Sequence, residues 1–287
     1  MKNYLVVLTG LPRGGEKTWK TLIKNILKPL NADLAICTEN NIDKSTNLYA
    51  MADYLWLFDE KDDWISYYKK NYSDNAINVL KQGQGAGLWE SGAIHFALKD
   101  IILKNYLDVL KKYKYIIYSR FDQFYTSIHP SFSGEFIWIP KGEDYFGLND
   151  RHAIINSKFI EDYLGICKYL DSINLKDVDN LYLNCETVYK LHLENIKLID
   201  KVIRIDRFQF TSSLKDDFTR WRIPKYSLIF NNKLKIKYPD EFLKAIENFQ
   251  IVEYFRFKNF DFVITYLYLK LRFQLGKLKK IFIKKLA

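Results

Sequence analysis

The stretch Tyr4-Leu-Val-Val-Leu-Thr9-Gly10-Leu11-Pro12-Arg13-Gly14-Gly15-Glu16-Lys17-Thr18-Trp19 decides how the chain is read. Tyr4 to Thr9 is a β-favouring apolar run and Gly10 to Glu16 a proline and glycine loop. Trp19, Leu22, Ile23, Ile26 and Leu27 then recur at the spacing of a helix's buried face. Pro29, which has no amide to donate, is expected to stop that helix. Asp33 to Cys37 reads as a second short strand. Strand, loop, helix and strand in this order make the βαβ unit of a parallel sheet.

Outward from this unit, residues 51–81 read loosely as a strand followed by helices. A glycine cluster, Gly83-Gln-Gly85-Ala-Gly87, precedes a helical stretch from about Glu90 to Lys112. Tyr115 to Tyr118 is a buried strand ending in Ser119-Arg120-Phe121-Asp122. Ile137 to Ile139, a loop from Pro140 to Asp150, and Ala153 to Ile155 follow. Helices near Ile160 to Tyr169 and Asn180 to Leu193 and a strand at Lys201 to Ile205 complete the globular part. The fold class is therefore α/β, with one globular domain over residues 1–250 and a basic amphipathic C-terminal helix over 251–287.

The chain has 287 residues, 48% of them hydrophobic, which suffices for a sizeable core. Cys37, Cys167 and Cys185 lie far apart without metal-ligand spacing, which argues against a disulfide scaffold or a zinc site and fits a reducing compartment. Tyr4 to Leu8 begins a strand rather than the apolar core of a signal peptide, and no uncharged apolar run reaches the roughly 20 residues that span a bilayer. A cytoplasmic protein is the expectation. The net charge of +10 is concentrated: Arg256 to Ala287 holds nine Lys or Arg residues against Asp261, a local +8. Nucleic acid is accordingly not an expected partner.

Backbone amides at a helix start attract phosphate, and the glycines of the first loop permit close approach. A P-loop reads G-x-x-x-x-G-K-S/T, whereas Glu16 here separates Gly15 from Lys17 and misplaces the lysine. The loop also looks like the sulfotransferase pattern P-R/K-S-G-T-T-W, with Gly14 in place of the serine and Glu16-Lys17 in place of the first threonine. A tight turn without a ligand is the third reading.

Three further segments make a different resemblance more specific. They are Ser119-Arg120-Phe121-Asp122, Trp138-Ile-Pro140-Lys-Gly-Glu143-Asp144-Tyr145-Phe-Gly147-Leu-Asn149-Asp150-Arg151-His152-Ala-Ile154, and Gly87-Leu-Trp89-Glu90-Ser-Gly92. Together with Asn184-Cys185-Glu186-Thr187, they resemble bacterial capsule and lipopolysaccharide glycosyltransferases with a GT-A-like fold of the Arg-x-Asp motif type, over roughly residues 1–210. The resemblance implies a GT-A-like single domain with a mostly parallel central sheet flanked by helices. It further implies a donor site formed by Leu11, Pro12, Arg13, Gly14, Trp89, Glu90, Arg120 and Asp122. Asp122 is the implied ligand of a divalent metal (Mn or Mg), although Arg120 stands where a second carboxylate would be. For a base to take the acceptor's proton the candidates are Asp150, Glu143, Asp144, His152 and Glu186, with Asp150 first because it lies in the most specific motif. His95 and His192 fall in helices without partner spacing and read as structural or exposed.

In the tail, Phe257, Phe260, Ile264, Leu271, Leu275, Leu278 and Phe282 gather on one side of a helical wheel, opposite Lys258, Lys270, Lys277, Lys280 and Lys284. Such a helix either rests on an anionic membrane or docks on the protein's own core.

The leading expectation is a glycosyltransferase at the inner face of the membrane, moving a sugar from a nucleotide-sugar donor to a lipid-linked or polysaccharide acceptor in cell-surface glycan synthesis. The alternatives are a sulfotransferase using adenosine phosphosulfate, suggested by Arg120 with Ser127, and a non-catalytic basic membrane-binding protein.

Overall fold

The computed structural model describes residues 2–59, 61, 63–83, 88–214, 217, 226–228, 231–248 and 260–286. Gly85, Gly87, Phe257, Lys258 and the side chains of Glu90, Leu278, Lys280, Phe282 and Lys284 lie outside the described residues. The strands in chain order are β1 (Tyr4–Thr9), β2 (Asp33–Glu39), β3 (Tyr54–Phe58), β4 (Tyr115–Arg120), β5 (Gln123–Tyr125) and β6 (Ile137–Pro140). They continue with β7 (His152–Asn156), β8 (Val202–Ile205), β9 (Gln209–Leu214), β10 (Tyr226–Leu228) and β11 (Asn231–Ile236).

The chain divides into two compact units that do not break at residue 250. The first comprises Met1–Pro12, Ile26–Phe121 and Pro130–Ile205, and the second Arg13–Asn25, Asp122–His129 and Asp206–Ala287.

The first unit is built on a seven-stranded sheet in the order β3-β2-β1-β4-β7-β6-β8. Pairing is parallel from β3 through β4, antiparallel on both sides of β7, and parallel again between β6 and β8, so β7 alone is reversed. The sheet is mostly parallel, as the opening βαβ unit implies. All six residues of β1 are buried, as its unbroken apolar run requires of a strand covered on both faces. The helix Ala93–Leu110 packs Phe96, Ile102, Leu103 and Leu110 into the same core as Leu5, Ile116 and Tyr118.

Pro29 does not end the first helix. The chain runs from Gly15–Leu22 through a π turn, Ile23–Leu27, to Lys28–Leu30, and stops at Asn31 with a left-handed φ of 45°. A widened turn just before a proline relieves the clash and the missing hydrogen bond that would otherwise break the helix.

The second unit holds a four-stranded sheet, β10-β11-β9-β5, antiparallel throughout. The sequence reading has no counterpart to it. Phe210, Leu234, Ile236, Phe242, Phe262 and Leu269 form its core with the helices Pro239–Glu247 and Phe260–Leu286.

The C-terminal helix has apolar residues on two sides. Phe262, Val263, Tyr266 and Leu269 are buried in the second unit's core, a face absent from the sequence-based wheel. Phe260, Leu267, Leu271 and Leu275 remain more than half exposed. Among the described residues no helix is long and apolar enough to cross a membrane.

Candidate active site

Adjacent parallel strands β1 and β4 place Thr9 opposite Arg120, while antiparallel β7 begins with His152 opposite Ser119. The carboxyl ends of β1, β4 and β6 and the amino end of β7 therefore share one edge of the sheet. Open α/β sheets bind ligands outside that edge.

The loop between β6 and β7 is fixed by its own side chains. Asp144 accepts from the amides of Gly142 (3.2 Å) and Asn149 (3.1 Å) and pairs with Arg204 at 2.7 Å. Asn149 donates to the Gly142 carbonyl and accepts from the Arg151 amide, each at 3.0 Å. Gly147 lies so close to the start of the helix Cys185–Asn195 that a Cβ there would stand 1.9 Å from the Glu186 carbonyl oxygen. Only glycine allows that approach. The result is to deliver Asp150 and Arg151, both buried, to the sheet edge.

There they meet charges from two helices. One oxygen of Asp150 is 3.1 Å from His95 Nε2, and Lys99, one turn further along the helix Ala93–Leu110, has its Nζ 3.1 Å from the same nitrogen. Arg151 Nη2 lies 3.1 Å from Glu186 Oε1. One ring nitrogen cannot serve both neighbours: carrying a proton it donates to Asp150, and without one it accepts from Lys99. Against burial, the His95 ring and the Lys99 and Arg151 charges hold the Asp150 carboxyl far below the usual range, so Asp150 is ionised and the contact made is the one in which His95 Nε2–H donates to it. Lys99 is left among aromatic faces, 4.4 Å from the Tyr189 ring centroid and 5.1 Å from that of Tyr118. Burial lowers Lys99 to about 8, and burial with the Lys99 charge lowers His95.

Glu186 is displaced the other way. Burial first, and then the Asp150 charge, raise it to about 7 against the pull of Arg151. It sits in the first turn of its helix, where the Asn184 side chain caps the Thr187 amide at 2.8 Å. Two neighbouring carboxyls are thus driven apart, one permanently ionised and one able to exchange a proton near neutrality.

Of the residues singled out in the sequence, the first unit brings together Asp150 and Glu186. His152 is wholly buried with Nδ1 3.1 Å from Ser119 Oγ. Glu143 accepts from the Tyr145 hydroxyl, and Asp144 braces its own loop. Trp89 packs against the core with Lys81 over its ring. Leu11 and Pro12 leave β1 half-buried, and Arg120 ends β4.

In the second unit, Arg13 accepts through its carbonyl from Trp19 Nε1. The Gly14 amide, expected to meet phosphate, donates to the Asp217 carboxylate at 2.8 Å. Asp122 is buried, and its carbonyl accepts from the Ser212 amide at 2.8 Å. The Ser212 hydroxyl in turn lies 2.8 Å from that of Thr18, so the Asp122 and Gly14 segments meet around this serine.

His95 and Lys99 are the residues that sequence reasoning missed. Their signal was available: a histidine and a lysine four apart, set among Ala93, Ile94, Phe96, Ala97 and Leu98 in the first turns of a helix, are costly to bury unless paired. Among the described residues no three His, Cys, Asp or Glu side chains group as a metal site. Asp122 offers one carboxylate, which suits Mg or Mn only where phosphate and water oxygens complete the coordination.

No family model matches the chain, and no curated protein matches its sequence. Among solved structures it is similar to mouse xyloside xylosyltransferase 1 in its apo form, at 11% identity over 72% of this chain and 86% of that one, with a TM-score of 0.39. It is also similar to the PaToxG glycosyltransferase, at 16% identity over 68% of each chain, with a TM-score of 0.34.

Proposed function

We propose that the chain is a glycosyltransferase that moves a sugar from a nucleotide-sugar donor to a hydroxyl of a lipid-linked or polysaccharide acceptor. The observation that carries this reading is the pair of opposed carboxyls, Asp150 and Glu186, at the carboxyl edge of a mostly parallel sheet. Glu186 takes the proton of the acceptor hydroxyl as its oxygen bonds to the sugar's anomeric carbon. The bond from that carbon to the phosphate oxygen breaks, and the nucleoside diphosphate leaves with the electron pair. Asp150 holds His95 and stays ionised, which keeps Glu186 a strong enough base near neutral pH. Arg120 neutralises the leaving phosphates. Asp122, in the second unit, is the residue that would hold a divalent cation, whose chemistry is charge neutralisation of a diphosphate.

The C-terminal helix supports a setting at an anionic membrane surface. The exposed apolar residues Phe260, Leu267, Leu271 and Leu275 step by seven, four and four positions and so share one side of the helix, whose sequence carries seven Lys or Arg residues against Asp261.

Thermal-shift measurements with nucleoside diphosphates and nucleotide sugars, with and without Mn, test the transferase reading. Stabilisation by a nucleoside diphosphate is the expected result. Stabilisation by adenosine 3′,5′-bisphosphate instead would assign sulfate transfer, and no response to any nucleotide would leave a non-catalytic membrane-binding protein.

A further inference from the structure

Beside Glu186 the first unit exposes aromatic rings that its packing does not explain. Phe146 is 82% exposed and Tyr182 47%, and their centroids are 5.9 Å apart at an interplanar angle of 65°. Tyr145 is next in the chain, more than a third exposed, with the Arg151 guanidinium 5.8 Å from its ring centroid. These rings stand on strained backbone. Glu143, Tyr145 and Phe146 all have left-handed φ values, of 53°, 41° and 73°. Each such residue costs about 1–3 kcal/mol and persists only where its surroundings hold it.

The surroundings that hold it are those of Glu186. Asn184 Nδ2 donates to the Tyr145 carbonyl at 2.8 Å, and the Thr187 hydroxyl donates to the Tyr182 carbonyl at 2.9 Å. Leu148 N donates to the Glu186 carbonyl at 3.0 Å, beside the close approach of Gly147. A single helical turn, 184–187, therefore anchors both the exposed rings and the acid. Arg151 joins them again, over Tyr145 and against Glu186.

We propose that Tyr145, Phe146 and Tyr182 form a stacking platform for the pyranose rings of a glycan acceptor, set so that an acceptor hydroxyl reaches Glu186. The ligand class rests on the transferase reading above. A pyranose offers a face of C–H bonds that suits the electron-rich face of an aromatic ring, while its hydroxyls stay in water or meet nearby polar groups. The exposed Tyr182 and Phe146 rings present such faces, and Arg151, Glu143 and Glu186 lie within the same loop and helix turn. None of the three aromatic residues is among those that the sequence implies for the donor.

The test separates the two sites. Cello-, chito- and malto-tetraose are titrated against the wild type, Phe146→Ala, Tyr182→Ala, the double variant and Tyr182→Phe, with saturation-transfer NMR and calorimetry as readouts. At least one tetrasaccharide is expected to bind the wild type and Tyr182→Phe, and to bind the double variant about tenfold more weakly. Melting temperatures and stabilisation by nucleoside diphosphate should be equal in all five proteins, because the altered side chains are exposed. Equal tetrasaccharide affinity in the double variant, or binding of none of the three sugars by the wild type, overturns the platform. Platform-dependent sugar binding without any nucleotide response would keep the platform and remove the transferase reading, whereas nucleotide stabilisation without sugar binding would do the reverse.

Discussion

Each unit buries an arginine against a glutamate, and the two pairs are built to different ends. In the second unit Arg207 and Glu241 lie 3.0 Å apart with side chains at 1% and 0% exposure, and the other Glu241 oxygen accepts the Thr211 amide at 2.7 Å. Both carboxylate oxygens have fixed protein partners. In the first unit Arg151 meets Glu186 at 3.1 Å, but burial, and after it the Asp150 charge, raise that acid's affinity for a proton. A similar pair of side chains thus serves as a closed brace when every oxygen is engaged and as a titrating group when a second carboxylate stands beside it.

The largest effect should come from breaking the brace. Glu241→Ala leaves Arg207 buried without its countercharge and is expected to remove about 3–5 kcal/mol of stability, read from urea unfolding. A loss below about 1 kcal/mol would show that the arginine is satisfied by other groups and would erase the contrast between the two pairs. Glu186→Gln should behave oppositely, changing stability by about 1 kcal/mol or less while lowering transfer by about 10²–10⁴-fold. The pH dependence gives the sign. A base acts deprotonated, so wild-type activity should rise with pH through about 7, and that limb should vanish in the variant. A carboxyl whose folded value is raised contributes stability below about 4.5 that is lost as pH rises through about 7, and the Gln variant should escape that loss. An acid limb that survives in Glu186→Gln would return the base to another group. The smallest effect on folding belongs to the exposed side of the tail. Leu267, Leu271 and Leu275 changed together to Gln should leave melting unchanged and abolish binding to vesicles containing phosphatidylglycerol. Wild-type binding should weaken as salt rises, and vesicle binding that persists in the triple variant would sink the membrane assignment.

The first unit was far more legible than the second. An unbroken apolar run as short as Tyr4 to Thr9, rich in β-favouring residues and closed by a glycine loop, reads as a strand buried on both faces, and that loop marks the turn into a helix. β9, in contrast, reads as a polar loop because Gln209, Thr211, Ser212 and Ser213 alternate poorly with Phe210 and Leu214, yet all four polar residues are buried. Their partners, among them Gln123, Asp122, Thr18 and Glu241, are 88, 90 and 194 residues upstream or 30 downstream, beyond any local pattern. The candidate site divides similarly. Asp150 and Glu186 stood out through motif-rich segments, whereas the role of His95 depends on Asp150, 55 residues away, and the exposure of Phe146 depends on backbone strain that no residue type announces.

The interleaving of the two units has a consequence for synthesis. The chain passes from one unit to the other after residues 12, 25, 121, 129 and 205. When residues 13–25 and 122–129 leave the ribosome, the strand that pairs β5 and the acid that braces Arg207 have yet to be translated. The first unit has its whole sequence available once Ile205 emerges, while the second must wait for the C-terminal helix. Pairings such as Gln123 with Thr211 close loops of nearly ninety residues, and contacts of that range slow folding. A nascent chain halted once Ile205 has emerged, with the second unit's later residues still unmade or inside the ribosome, should therefore carry a protease-resistant first unit with residues 13–25 and 122–129 still open to cleavage.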